Sequence, residues 1–173
     1  MCIIIDTNTF SSVFDRTSGD HHNFSPVLNW IIEGEGKIIY GGSKYKLELR
    51  TAAKFLKLFG QLKRSRKVIE VDEAEVDKYQ ADLEIIERHK DFDDSHLVAI
   101  CYVSKCRLIC SVDKRAFRFL TRKDFYPQNS PRPSIYSGNK NSDLLCRKYF
   151  APICEPCERL NKENARLLRS IFS

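Results

Sequence analysis

Two short apolar runs, each followed by an aspartate, are the features that most constrain how this chain can fold. The first run spans residues 2–5 and ends at Asp6, and the second spans residues 108–112 and ends at Asp113. Runs of this length that are rich in β-branched residues are typical of strands buried on both faces of a parallel sheet. Because helices must cover both faces of such a sheet, the runs predict an α/β fold.

Hydrophobic periodicity predicts the other elements, with the Ser25-Pro26 pair as the start signal of the first long helix. Further strands are expected at residues 37–40, 68–71 and 134–136, and helices at 24–32, 47–62, 72–90, 96–103, 114–120 and 155–172. Strands that alternate with helices in this way predict a three-layer α/β/α sandwich with a short, mostly parallel central sheet. Residues 126–142, rich in Pro, Ser and Asn, are expected to be loop outside their single strand.

Composition favours one globular unit that stays in the cytoplasm. Apolar residues make up 42% of the 173 residues, which is enough for a core. No apolar stretch approaches the roughly 20 residues of a membrane span, and the opening run meets an acid too early for a signal peptide, so no membrane partner is expected. The seven cysteines are an odd number and several lie in apolar runs, which favours free buried thiols over a disulfide framework.

The formal net charge of +6 is unevenly distributed along the chain. Residues 37–67 contain ten Lys or Arg and a single acid, Glu48, whereas residues 70–94 contain eleven acids and three bases. Basic tracts around isolated carboxylates suit an anionic polymer held over a cation site, although solvated helix faces would give the same pattern. The candidate contacts to substrate phosphates are Lys44, Lys46, Arg50 and Lys54.

Acids at the predicted sheet edge indicate a metal site. Parallel sheets bind ligands beyond the carboxyl ends of their strands, where the strand order reverses. If the first and fourth strands are neighbours, Asp6 and Asp113 share one crevice, and Asp94 at the head of a buried helix can point into it. Carboxylates this close can all ionise only beside a cation, and oxygen ligands suit Mg²⁺ or Mn²⁺. The expected chemistry is phosphodiester hydrolysis by a metal-activated water, without a covalent enzyme intermediate.

Four acid-containing motifs follow one another along the chain: IIIDTN at 3–8, YKLEL at 45–49, DSHLVAIC at 94–101 and CSVD at 110–113. Their order and spacing resemble those of the PIN-domain nucleases, a family that includes ribonuclease toxins of the VapC kind and is related to flap endonucleases. The resemblance covers residues 1–137. It implies a PIN-like nuclease domain over those residues and a C-terminal extension over 138–173, helical from about residue 155.

Carried over position by position, the resemblance implies a catalytic site that also holds Mg²⁺ or Mn²⁺. Its members would be Asp6, Glu48, Asp94 and Asp113, with Asn8 and Ser111 as the groups that fix Asp6 and Asp113. The implied function is a divalent-metal-dependent endoribonuclease, and the preference for RNA over DNA comes from the family alone. A toxin or defence effector of this family would bind RNA, with an antitoxin or another protein partner and a homodimer as open alternatives.

Two other functions remain open: a structure-specific DNA nuclease, and an inactive PIN-like module that binds nucleic acid or protein. A receiver domain phosphorylated on aspartate fits poorly, because adjacent acids are missing after the first strand. Each acid also has a structural interpretation, as a turn residue, a helix cap or a solvated helix acid. His96 is interpreted as a packed helix residue, and Cys154-x-x-Cys157 is only half of a zinc motif.

Overall fold

A five-stranded, all-parallel sheet forms the centre of the protein. The computed structural model describes residues 1–127, 130 and 132–171. The strands are β1 (Cys2–Ile5), β2 (Lys37–Tyr40), β3 (Val68–Glu70), β4 (Leu108–Cys110) and β5 (Ser134–Tyr136), in the spatial order β3-β2-β1-β4-β5. The predicted α/β fold with a parallel central sheet is confirmed.

Helices flank the sheet, as a three-layer sandwich requires. They are α1 (Phe10–Phe14), α2 (His21–Ile32), α3 (Ser43–Thr51), α4 (Ala53–Arg64), α5 (Glu73–Ile86), α6 (Ser95–Ser104), α7 (Phe117–Leu120) and α8 (Lys162–Ile171). Short 3₁₀ turns lie at 7–9, 123–125, 139–144, 147–149 and 152–154. None of the described helices is long and apolar enough to cross a membrane.

The central position of β1 explains its composition. All four of its side chains are inaccessible to solvent, because helices cover both faces of the strand and β2 and β4 pair with its two edges. The chain moves from β1 to β2 on one side and returns to β4 on the other, so the strand order reverses between β1 and β4. The backbone N–H of Asp6 donates to the carbonyl of Cys110 at 2.9 Å, which brings the carboxyl ends of the two strands together.

Two predicted helix boundaries were wrong for reasons of backbone geometry. Helix α2 begins at His21, and Pro26 lies inside it. Proline lacks the N–H that would bond to the carbonyl of His22, and the hydroxyl of Ser25 donates to that carbonyl instead, at 3.3 Å. The predicted helix at 47–62 is two helices, because Ala52 leaves helical geometry with φ −80° and ψ 48°.

The C-terminal extension packs on the domain and begins its helix later than predicted. Helix α8 starts at Lys162, and the predicted end at residue 172 lies outside the described residues. A disulfide joins Cys2 to Cys154, and the other five cysteines are free. The expectation of free thiols was therefore wrong for this pair. The two cysteines are 152 residues apart, so local spacing gives no signal of their contact.

Lys67, just before β3, anchors the same extension from within the protein. Its side chain is 1% exposed, and its ammonium donates to the carbonyls of Gly34 at 2.8 Å, Gly36 at 3.3 Å and Glu158 at 3.1 Å. Burial, reinforced by repulsion from Lys37, lowers the pKa of Lys67 to about 8. Lys67 thus links its own segment to the turn before β2 and to the C-terminal extension, and the burial of its charge costs free energy.

Replacing Lys67 with methionine is expected to remove a pH-dependent part of the stability. The folded pKa of about 8 lies below the unfolded value of 10.5, so between these values only the unfolded chain still holds the proton. The free energy of unfolding of the wild type should therefore rise with pH across this window, by about 3 kcal/mol relative to Lys67→Met. Urea denaturation at several pH values measures the difference, with Lys57→Met at an exposed position of α4 as the control. If the difference in unfolding free energy between wild type and Lys67→Met did not change with pH, the lowered pKa assigned to Lys67 would be wrong.

Candidate active site

Asp6 lies directly after β1, at the point where the strand order reverses. Its side chain is 1% exposed. One carboxylate oxygen accepts from the backbone N–H of Asn8 at 3.0 Å, and the other accepts from the hydroxyl of Ser111 at 2.8 Å. Burial raises the pKa of Asp6 despite these two hydrogen bonds. The carboxylate is therefore held in one orientation in a place that disfavours its charge.

Asp94 precedes α6 and is 8% exposed. Its side chain does not cap the helix, and among the described residues it accepts no hydrogen bond. Burial, followed by the charge of Asp6, raises the pKa of Asp94 to about 6, and the charges of Asp93 and Glu48 act in the same direction. The capping interpretation of Asp94 therefore fails, and its carboxylate belongs electrostatically with that of Asp6.

Glu48, on α3, is half-buried beside these two acids. Its Oε2 accepts from the hydroxyl of Thr7 at 2.8 Å and lies 3.4 Å from Nε2 of His96. Burial raises the pKa of Glu48, but His96 and Thr7 outweigh that effect and leave the pKa below its ordinary value. Helix α3 can begin here because Gly42 has a φ of +78°, and a Cβ at that position would lie 2.5 Å from Val76.

His96 contributes a buried imidazole that faces Glu48. Its side chain is 1% exposed, and neither ring nitrogen has a hydrogen bond among the described residues, since the 3.4 Å contact with Glu48 is an electrostatic one. The ring packs edge-on against Tyr45, with the centroids 6.1 Å apart. Nε2 thus faces the Glu48 carboxylate, whereas Nδ1 is a buried nitrogen without a hydrogen bond among the described residues, which costs free energy.

Sequence reasoning missed the contributions of Thr7 and His96. Thr7 lies inside the first motif and bonds across to Glu48, and His96 follows Asp94 by two residues on α6. Both were visible as polar residues beside a candidate ligand. Their contacts with Glu48 depend on how α3 meets the end of β1, which no local pattern encodes. The prediction for Asn8 was half right, because its backbone rather than its side chain holds Asp6.

Asp113 is placed differently from the other three acids. Its backbone N–H donates to Oγ of Ser111 at 3.1 Å, so it lies next to the group that holds Asp6. Its carboxylate, however, accepts from Nη2 of Arg115 at 2.7 Å and from Nε at 3.1 Å, and this pairing is the main reason for its lowered pKa. The structure thus brings Asp6, Glu48 and Asp94 together and pairs Asp113 with an arginine.

The donor chemistry of this cluster fits a hard divalent cation, although its ligand shell is incomplete. Two buried carboxylates with raised pKa values lie close to a third acid, and a cation would offset their mutual repulsion. Among the described residues, no three His, Cys, Asp or Glu side chains are arranged so that they could hold an ion. Asp6 and Asp94 would be the first ligands of such a cation, and Glu48 and Asp113 are the acids that could complete the set.

The four candidate phosphate contacts differ in their availability. Lys46 pairs with Glu70 at 2.5 Å and Glu73 at 2.7 Å. The ammonium of Lys54 pairs with Asp15, and that of Lys44 donates to the carbonyl of Asp93. Arg50 is exposed in the last turn of α3 and forms no ion pair among the described residues.

Comparisons of the chain with protein-family models, with curated proteins and with solved structures find no match.

Ser111→Ala should loosen the site, because the hydroxyl both donates to Asp6 and accepts from the N–H of Asp113. Losing the bond to a buried carboxylate is expected to lower the free energy of unfolding by about 1–3 kcal/mol. Chemical denaturation at neutral pH measures this, with Ser11→Ala at an exposed position of α1 as the matched control. Equal effects of the two substitutions would show that Ser111 does not support the acids.

Proposed function

We propose that this protein is a divalent-metal-dependent nuclease of the PIN type that hydrolyses RNA phosphodiester bonds. The observation that carries the proposal is the pair of buried carboxylates, Asp6 and Asp94, at the carboxyl ends of the strands, where the strand order reverses between β1 and β4. Burial raises both pKa values, so the pair is unstable without a counter-charge. The motif order supports the same family.

The roles of the residues follow from their environments. Asp6 is fixed by two hydrogen bonds, and Asp94 has none among the described residues, so both present oxygens to a cation. A divalent cation held there would neutralise charge on the scissile phosphate and activate water for attack. Oε2 of Glu48 is occupied by Thr7 and His96, and its Oε1, without a partner among the described residues, can accept from the attacking water.

The surroundings of the site favour a polyanionic substrate. Of the four candidate contacts, Arg50 has no ion pair among the described residues; it lies two residues after Glu48 on a different side of α3, where it can hold a phosphate of a strand that runs past the site. RNA is proposed over DNA on the family resemblance. A cytoplasmic location, an antitoxin or other protein partner and a homodimer are part of the same proposal, as they accompany toxins of this family.

Asp6→Asn and Asp94→Asn are each expected to lower metal-dependent cleavage of single-stranded RNA by at least about 100-fold. Each change keeps the side-chain shape and removes one anionic ligand. The assay compares Mg²⁺, Mn²⁺ and EDTA, with single-stranded DNA and a flapped duplex as competing substrates. Preferential cutting of the flapped duplex would instead favour the structure-specific DNA nuclease.

Asp82→Asn is the matched control, because Asp82 is an exposed acid on α5 outside the cluster. It should cleave RNA at the wild-type rate. Full activity in Asp6→Asn or Asp94→Asn would refute the assignment of the site.

A second candidate is an inactive PIN-like binding module, and the pairing of Asp113 with Arg115 favours it. Because the carboxylate of Asp113 is paired with Arg115, a cation at the site would lack its fourth acidic ligand. In this case the protein would bind RNA at its basic surface and would not cleave it, whichever divalent metal is added.

Arg115→Gln tests whether Asp113 belongs to the metal site. If Asp113 completes the metal site, releasing it from the guanidinium should tighten Mn²⁺ binding by roughly two- to tenfold, as one more carboxylate becomes available. Calorimetric titration with Mn²⁺ measures the affinity. Arg118→Gln, which removes an arginine paired with Asp91 instead, is the control. If Arg115→Gln leaves the affinity unchanged, Asp113 lies outside the site.

A further inference from the structure

A cavity lies at the end of the parallel strands opposite the acids. Its volume is about 350 Å³. Its walls come from the first residue of β2, the end of α4 and the turn that follows it, and the extension from residue 156 to the start of α8. Lys37 begins β2 and Lys67 precedes β3, whereas Asp6 follows β1, so the cavity and the acid cluster occupy opposite ends of the parallel strands.

The walls of the cavity are strongly cationic. Among the described residues that line it, one is an acid, Glu158, and five are basic: Lys37, Arg64, Arg66, Lys67 and Arg159. Arg64, Arg66 and Arg159 are exposed and form no ion pair among the described residues. The carboxylate of Glu35, whose charge reaches Lys67, is already paired with Arg147 at 3.3 Å. The positive charge of the cavity is therefore largely uncompensated.

Lys37 adds a mostly covered side chain to this cationic lining. Its side chain is 6% exposed, yet its ammonium has neither a hydrogen bond nor an ion pair among the described residues. Lys67 beside it satisfies its own three donors with backbone carbonyls and leaves Lys37 unassisted. The stem of Lys37 is covered, but its ammonium still reaches solvent and is therefore available to an anion. Lys37 lines the cavity, so an anion in the cavity can reach it.

The first turn of α8 adds to the positive electrostatic potential of the cavity. Asn161 and Asn164 line the cavity, and the side chain of Asn161 accepts from the backbone N–H of Asn164 at 2.8 Å. The positive end of the ten-residue helix dipole therefore adjoins the cavity. Two amide side chains, three arginines and Lys37 make a donor set that matches phosphate oxygens, and Lys67 adds its positive charge.

We propose that this basic cavity binds the phosphate groups of a small phosphorylated molecule of nucleotide size. The volume lies within the range of small-molecule sites, about 300–1,000 Å³, and exceeds what a single inorganic phosphate fills. The cations come from β2, α4 and the extension, so the ligand would join the extension to the sheet. The proposal does not depend on nuclease activity, because it concerns the opposite end of the parallel strands.

Calorimetric titration of the full chain with adenosine diphosphate, in EDTA and at about 0.15 M salt, tests the proposal. Arg64→Gln/Arg159→Gln removes two exposed cations of the cavity, and Lys78→Gln/Arg88→Gln removes two exposed cations elsewhere. The cavity variant should bind at least about tenfold more weakly, and the control within about twofold of the wild type. Inorganic phosphate should bind the wild type more weakly than the diphosphate does.

Lys37→Met provides an independent readout. Without ligand it should melt at a temperature no lower than that of the wild type, because it removes one of the like charges that line the cavity. With adenosine diphosphate the wild type should gain stability and the variant little or none.

Three results would overturn the proposal. The first is no binding by the wild type, and the second is equal loss in the cavity and control variants. The third is binding of a 5′-phosphorylated RNA oligonucleotide, but not of the diphosphate, that is lost in the cavity variant, which would assign the phosphate to a polymer.

Discussion

The parallel pairing of β1 with β4 is the contact on which the rest of the structure depends. These strands run side by side although more than a hundred residues separate them, with Ile4 opposite Ile109 and Ile5 opposite Cys110. Their side chains are buried, so apolar burial holds the register without help from polar groups. The polar residues that follow the strands then have fixed positions. Ser111 can bond to Asp6 only because this register places one strand end beside the other.

The sequence allowed the strands and the position of the first acids to be predicted, because both depend on local patterns. A strand buried on both faces must be apolar at every position, and its carboxyl end is where ligands gather. The break at Ala52 and the position of Pro26 inside α2 were not predictable in this way. Each depends on a single backbone group, such as the Ser25 hydroxyl that replaces a missing N–H. The Cys2–Cys154 bond depends on where the extension packs.

The candidate site likewise combines features that sequence patterns predict with features that only the packing reveals. Asp6 and Asp94 are buried close together, as their motifs suggested, and the family resemblance assigns them a role that remains a proposal. Spacing could not reveal that Arg115 pairs with Asp113, since an arginine two residues away in a turn can point to either side. Nor could it reveal that Lys37 is 6% exposed and has no ion pair among the described residues, because a basic residue at a strand start is usually far more exposed. The sign of each charge can be read from the sequence, but whether an opposite charge lies beside it depends on the packing.

The bond between Cys2 and Cys154 also has a mechanical consequence. It closes a covalent loop that contains all five strands and both edges of the sheet. Tension applied between residues 1 and 171 would pass from Cys2 to Cys154 through the sulfur atoms and bypass the sheet. Helix α8 and the segment before it would detach first, while the acids at the far edge bore no load. Under tension, the protein with this disulfide formed would extend only in the segment after Cys154, while the disulfide kept residues 2–154 from being pulled apart.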